Sequence, residues 1–282
     1  MSTAKTINNL LILSDIHAGC RLALCPKGGV SLDDGGPYMP SAMQLKLFAW
    51  WEELWNEWVP EATIREPFAV VVNGDCMDGV HHESTTQISQ NLADQQKIAL
   101  ELLKPVKELC EGRIYIVRGT EAHCGKSGQN EEKMATALGA LPNEAGQYAR
   151  WELWKRVGEK GRGGLVHCSH HIGTTGSSAY ESTAVHKEMI EAFNESGRWG
   201  EEPPRVVVRS HRHRYLQDRV AGRDGEFISL VTPGWQLRTP FAFRIVGGRA
   251  SQPQIGAVLV RYHRGELFAR PFVRSLSRPK EE

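Results

Sequence analysis

Ile7–Ala18 reads INNLLILSDIHA, and its interpretation decides the fold. The run Ile7–Leu13 is too short for a helix and too continuously apolar for a strand with one wet face. It is predicted to be a strand covered on both sides. It stops at Ser14-Asp15, so an acid stands at its carboxyl end, followed at i+2 by His17. Working outward, the same pattern recurs. Phe68–Val72 is a second apolar run and ends at Asn73-Gly74-Asp75, with Asp78 close behind. Arg113–Val117 leads to Arg118-Gly119, then to Glu121 and His123. Gly164–Cys168 leads to His170-His171, and Arg205–Val208 to Ser210-His211-Arg212-His213.

Between these strands lie helical segments. Ser41 can cap a helix over Ser41–Val59, with Leu47, Trp51, Leu54, Trp55 and Trp58 on one face and Pro60 as its stop. Ile88–Cys110 reads as a long helix interrupted or bent near Pro105. Glu131–Leu138 and Ser178–Phe193 read as further helices, and Trp151–Val157 as a half-buried strand. From Glu226 onward the alternation in Phe227–Val231, Phe241–Val246 and Ala257–Arg261 predicts strands. Gly19–Pro40 is a long Gly- and Pro-rich loop. Strands alternating with helices, then a β-rich end, imply an α/β fold of two sheets packed face to face with helices outside.

Composition narrows the function. The 282 residues carry 34 Lys and Arg against 33 Asp and Glu, so the chain as a whole is not a strongly basic nucleic-acid binder. No apolar run approaches the ~20 residues of a membrane span, and Met1–Asn9 does not read as a secretory signal. None of the six cysteines is spaced as CxxC, which argues against a structural zinc site and is consistent with free thiols in the cytoplasm.

Ligands of α/β sheets collect beyond the carboxyl ends of strands. Five strand ends carrying Asp and His would therefore converge on one place. Residues spaced i, i+2 just past a strand can both turn toward one point, as in Asp15/His17 and His211/His213. Mixed imidazole and carboxylate donors suit Mn, Fe, Zn or Ni better than Ca or Mg alone. Asp75 has two oxygens and could bridge two ions about 3.5–4 Å apart, a spacing that clamps a phosphoryl group. Taken singly, each motif has a plainer reading, such as a strand-end Asp or a solvated His. Their order and shared placement carry the argument.

These segments resemble the calcineurin-like metallophosphoesterases, which hydrolyse phosphate esters at a dinuclear centre. The resemblance lies in Asp15-Ile16-His17, Gly74-Asp75-Cys76-Met77-Asp78, Gly119-Thr120-Glu121-Ala122-His123, His170-His171 and Ser210-His211-Arg212-His213. The Gly119–His123 version and the Gly19–Pro40 loop resemble the phage and prophage branch. The resemblance implies a four-layer fold with two mixed sheets, spanning 1–274 as one domain ahead of a polar tail, 275–282. It also implies two divalent ions, with Mn favoured over Fe, Zn, Ni or Mg, and a metal-bound hydroxide as nucleophile. Asp15, His17 and His213 would hold the first ion, His170 and His211 the second, with Asp75 between them. His123 would serve the leaving oxygen. The family's Gly-Asn-His is altered here, and Glu121 is expected to replace the Asn ligand, with Thr120 as the other candidate.

The implied substrate is a phosphodiester of a nucleotide or of single-stranded nucleic acid. A phosphomonoester, or a non-catalytic metal-dependent binding role, is the alternative. A metallopeptidase is disfavoured because no HExxH occurs. His171, Arg118 and Arg212 are candidates for phosphate contact. Asp78 is read as a supporting or turn residue, and His81 and His82 as a loop near the substrate or in solvent. Cys76, Cys124 and Cys168 are read as small packing residues. The segment 173–178 is either a lip over the site or a helix-capping loop. Arg238, Arg244, Arg249, Arg261, Arg264, Arg270 and Arg274 gather late in the chain, either as a basic face or as an ordinary solvated one.

Overall fold

A computed structural model describes residues 6–173, 178–223, 225–245 and 252–277. Its strands are β1 (Asn9–Leu13), β2 (Val30–Ser31), β3 (Pro37–Tyr38), β4 (Phe68–Asn73), β5 (Ile114–Val117), β6 (Ala149–Arg150) and β7 (Glu152–Val157). They continue with β8 (Gly164–Ser169), β9 (Val206–Arg209), β10 (Leu216–Gly222), β11 (Gly225–Val231), β12 (Ile255–His263) and β13 (Glu266–Arg274). The helices are α1 (Ala42–Glu53), α2 (Val59–Ala62), α3 (Leu92–Leu109), α4 (Glu121–Cys124), α5 (Gln129–Leu138), α6 (Glu181–Trp199) and α7 (Pro240–Ile245).

One mixed sheet has the order β13-β12-β1-β4-β5-β6, and the other β10-β11-β9-β8-β7. β1, β4, β5 and β6 run parallel, as do β8, β9 and β11. Antiparallel strands close the remaining edges. The apolar run of β1 divides by parity. Leu10 and Ile12 enter the seam between the sheets with Val71, Val166, Val208 and Leu230. Leu11 and Leu13 face the other way, against Leu47 of α1 and Leu102 of α3. On the far side of the second sheet, Val185 of α6 packs on Val231. The result is the two-sheet sandwich flanked by helices that the alternation implied. Its parallel strands all deliver their carboxyl ends to one rim.

Several elements differ from the sequence expectations. Ser41 caps α1 and forms a reciprocal capping box with Gln44, but Pro60 does not end the helix. A π-turn over Leu54–Trp58 leads into α2, whose first turn carries Pro60. α3 continues through Pro105. The alternating Phe241 segment is helix α7 over its described residues, because Thr239 and Pro240 form a helix start. Residues 174–177, Arg249 and 278–282, which fall within the expected lip, basic group and tail, lie outside the described residues.

Candidate metal centre

Asp15 and His17 leave the end of β1, and the chain crosses the end of β4 in register. Asp15 N–H donates to the Gly74 carbonyl at 3.0 Å, His17 N–H to Asp75 at 2.9 Å, and Ala18 N–H to Cys76 at 3.0 Å. Two acid-bearing loops are thereby knitted together. Behind them lies a buried polar chain. Asn73 Nδ2 donates to Ser210 Oγ and to the Ser169 carbonyl; Ser210 and Ser14 both pair with Thr232 Oγ1. These links tie together the ends of β1, β4, β8, β9 and β11, drawn from both sheets. Nothing in the sequence singled out Ser14, Asn73 or Thr232.

The site side chains converge. Asp15 Oδ1 lies 3.2 Å from His213 Nε2 and 3.9 Å from both His17 Nε2 and His170 Nε2. Asp75 Oδ2 lies 3.1 Å from His170 Nε2 and 4.0 Å from His123 Nε2. Two imidazole nitrogens, His17 Nε2 and His213 Nε2, stand 3.3 Å apart. Three overlapping groups offer ligand atoms within 4.8 Å of one another: Asp15/His17/His213, Asp15/Asp75/His170/His211, and His17/Asp75/His123. A fourth joins Asp78, His81 and His123. Both Asp15 and Asp75 are shared between groups.

The backbone is strained at this rim. Asp15, His17, Asp75, His211 and His213 all have φ between 46° and 74°, a region that L-residues with a Cβ avoid. Such strain costs of order 1–3 kcal/mol per residue and persists where surrounding structure enforces it. Close approach adds a glycine requirement. A Cβ on Gly119 would lie 1.9 Å from Asp75 Oδ1, and one on Gly74 2.3 Å from His170 Nδ1.

Electrostatics fit a cation. Burial alone would raise the Asp15 carboxyl, but His213 and His170 outweigh it and hold Asp15 below the usual carboxylate range. Asp75 is likewise held down against burial by His170 and His123. Burial would favour neutral His170, yet Asp75 and Asp15 lift it to about 10. His123 moves oppositely: burial, reinforced by His17 and opposed by Asp75, lowers it to about 4. Asp15 Oδ1 and His170 Nε2 are buried without hydrogen-bond partners. His170 Nε2 is near Asp75 but outside hydrogen-bond geometry. Unpaired buried polar atoms are costly, and divalent cations between these carboxylates and imidazoles would satisfy them. The residues present therefore fit a divalent cation.

His170 is fully buried, with Nδ1 at 2.7 Å from the Asn73 carbonyl, which leaves Nε2 for the centre. His171 is exposed at the mouth, its ring 5.4 Å from that of His170 and 6.4 Å from that of His211. Asp78 is buried; its Oδ1 lies 3.4 Å from His17 Nδ1, and Gln87 and Gln236 donate to its two oxygens. It lies beside His17, whose Nδ1 makes no hydrogen bond. His81 comes within 3.7 Å of Asp78, while His82 stacks on Phe241 farther out.

Two expected site residues are placed elsewhere. Glu121 is exposed in the first turn of α4 and belongs to none of the four groups. Thr120 lies nearer: its N–H donates to Asp75 Oδ1 at 2.7 Å, and its hydroxyl lies 3.2 Å from both carboxylate oxygens. The extended backbone at Thr120 turns it inward, and the helix then carries Glu121 outward. Arg118 is also withdrawn. Its guanidinium pairs with Glu132 at 3.1 Å, donates to the Ser127 carbonyl and stacks on Trp151. Arg212 stays at the mouth, donating to the Gly173 carbonyl, with Nη1 buried and unpartnered. Of the late arginines, Arg261, Arg270 and Arg274 pair with Glu66, Glu61 and Glu53, so they make no open basic face. All six cysteines are free and buried.

No protein-family model matches the chain, and no curated protein does. Among solved structures, a double mutant of Vps29 from Entamoeba histolytica aligns at TM-score 0.42 and 11% identity, covering 94% of this chain and 99% of that one. Vacuolar protein sorting 29 from Cryptosporidium parvum aligns at 0.34 and 11%, covering 95% and 98%. The sulfate thiohydrolase SoxB of Thermus thermophilus, in complex with glycerol, aligns at 0.39 and 11%, covering 98% of this chain and 58% of that one. Similarity at this level concerns the run of the chain, not the chemistry of its residues.

Proposed function

We propose that this chain is a metal-dependent phosphoester hydrolase of the calcineurin-like kind, acting at a dinuclear centre. The observation that carries the reading is the convergence of Asp15 and Asp75 among His17, His170, His211 and His213, on a strained rim with unpartnered buried donor atoms. Asp15, His17 and His213 would hold one ion; His170 and His211 would hold the other, with Asp75 shared and the Thr120 hydroxyl in place of the usual Asn. Bound divalent ions supply Lewis-acid charge for phosphoryl oxygens and acidify water at neutral pH.

The protein's own groups do the rest. His123 Nδ1–H donates to the Asp78 carbonyl, which fixes the ring and leaves Nε2 facing Asp75. With its proton affinity lowered by burial, His123 is neutral at rest. As a phosphate anion settles beside it, Nε2 takes up a proton from solvent and passes it to the departing alcohol, which returns the ring to its neutral form. Arg212 and His171 stand at the mouth to receive phosphoryl oxygens. A nucleotide diester or a single strand is the preferred substrate, because a balanced net charge and paired arginines give little to grip a duplex. The phage-branch affinity and the preference for Mn rest on the sequence motifs alone.

Residues 1–274 act in this reading as one domain in the cytoplasm; no helix among the described residues is long and apolar enough to cross a membrane. The altered Gly119–His123 motif favours a second reading, a metal-dependent binding module without turnover. Comparing hydrolysis of a nitrophenyl diester, a nitrophenyl monoester and single-stranded DNA after chelation and Mn reloading separates them. Metal-restored hydrolysis, fastest on the diesters, is expected. A reloaded protein inert on all three would leave only the binding reading.

A further inference from the structure

Glu131 lies on α5, 1% exposed, with no ion pair among the described residues. Its Oε1 accepts the Cys76 N–H at 2.9 Å, and its Oε2 accepts the Gly119 N–H at 2.6 Å. Cys76 follows Asp75, and Gly119 precedes Thr120. Thr120 in turn bonds Asp75 through both its N–H and its hydroxyl. The contacts close a ring from Glu131 through Cys76, Asp75, Thr120 and Gly119 back to Glu131. One carboxylate thus ties the β4 loop to the β5 loop from beneath. Folding alone gives little reason for it. Neighbouring core positions of α5 are Met134, Ala135 and Leu138, and burying an acid among them without a cation is unfavourable. Burial, with Asp75 nearby, pushes its carboxyl up to about 7, while both amide bonds favour the charged form.

Resting on the dinuclear reading above, we infer that Glu131 is a positioning residue that presets Asp75 and Thr120 for the second metal ion. Its two oxygens accept from two amides at once. An amide side chain of the same shape cannot do this, because its NH2 would face an N–H.

The test compares wild type, E131Q and M134A, the last as a control for lost packing on the same helix. Each protein is stripped of metal and titrated with Mn by calorimetry, and kcat and KM are measured on a nitrophenyl diester. In E131Q the second Mn is expected to bind about 10- to 100-fold more weakly. Its kcat should fall while KM stays within about twofold. M134A should lose melting temperature but keep both Mn affinities. A folded E131Q that matches wild type in second-ion affinity and kcat overturns the inference, as does M134A weakening the second ion as much as E131Q. If E131Q does not fold, 15N-labelled wild type carries the test. Before metal is added, the Cys76 and Gly119 amide protons should lie downfield and exchange slowly, and zinc should move them little. Ordinary shifts and rapid exchange before metal would overturn the inference. A wild type that binds no divalent ion refutes the metal-centre reading itself; one that binds two ions beside an unaffected E131Q refutes only the role of Glu131.

Discussion

At the scale of single residues, the site is defined by side chains held where they would not otherwise rest. Asp15, His17, Asp75, His211 and His213 occupy left-handed backbone, and Gly119 admits the Asp75 carboxylate where no Cβ fits. Gly119→Ala must push Asp75 or the β5 loop aside. It is expected to abolish second-ion binding even where the protein still folds, and metal analysis of the purified variant checks this. Replacing His123 with Gln should lower kcat by about 100- to 10,000-fold, the usual worth of a positioned acid–base group, with metal content unchanged. Loss of metal together with activity would instead make His123 a ligand, a role its place in the His17/Asp75/His123 group allows. The motif residues were legible because Asp and His recur at strand ends in a fixed order. Glu121 misled because spacing alone does not tell which way a residue faces at a helix start. Thr120, extended at the N-cap, points in; Glu121, one residue into the turn, points out.

At the scale of elements, the strands were legible from continuous apolar runs, and the parity of β1 fixes both of its faces. Elements decided by tertiary context were not. The π-turn that carries α1 into α2, and the helical α7 in place of a strand, depend on neighbours that a periodicity cannot see. The polar chain from Ser14 through Thr232 and Ser210 to Asn73 exists only once both sheets are stacked. β8 offers a test of the pairing within the second sheet. His167 bonds Glu152 across to β7 and lies against Arg209 of β9; burial and Arg209 lower it to about 4. Its folded pKa is below the unfolded value of about 6.5, so the unfolded chain takes the proton first. The stability of keeping it neutral is present above pH 6.5 and is lost as pH falls toward 4, by up to about 3 kcal/mol. Urea unfolding across this range should show a shallower acid decline in His167→Gln than in wild type; identical slopes would remove His167 from the account.

At the scale of the whole molecule, the parallel strands of two sheets deliver acids and imidazoles to one rim, where the proposed centre lies. The centre gathers two carboxylates among several imidazoles, and bound cations would take the place of the protons those imidazoles hold. Divalent metal should therefore stabilise the fold: an excess of about 1,000 times Kd adds about 4 kcal/mol. Chelation should lower the melting temperature by several degrees, and Asp75→Asn should blunt that response. The β-rich end closes the first sheet with β12 and β13, and Arg261, Arg270 and Arg274 there pair with Glu66, Glu61 and Glu53 of the segment before β4. Charge counted along the sequence shows these three arginines but not their partners.

The most direct measurement is anomalous diffraction from crystals of the wild-type protein soaked in Mn. The account predicts two peaks about 3.5–4 Å apart, one beside Asp15, His17 and His213, the other beside His170 and His211, with Asp75 between them. A single peak, none, or peaks away from these side chains would contradict it.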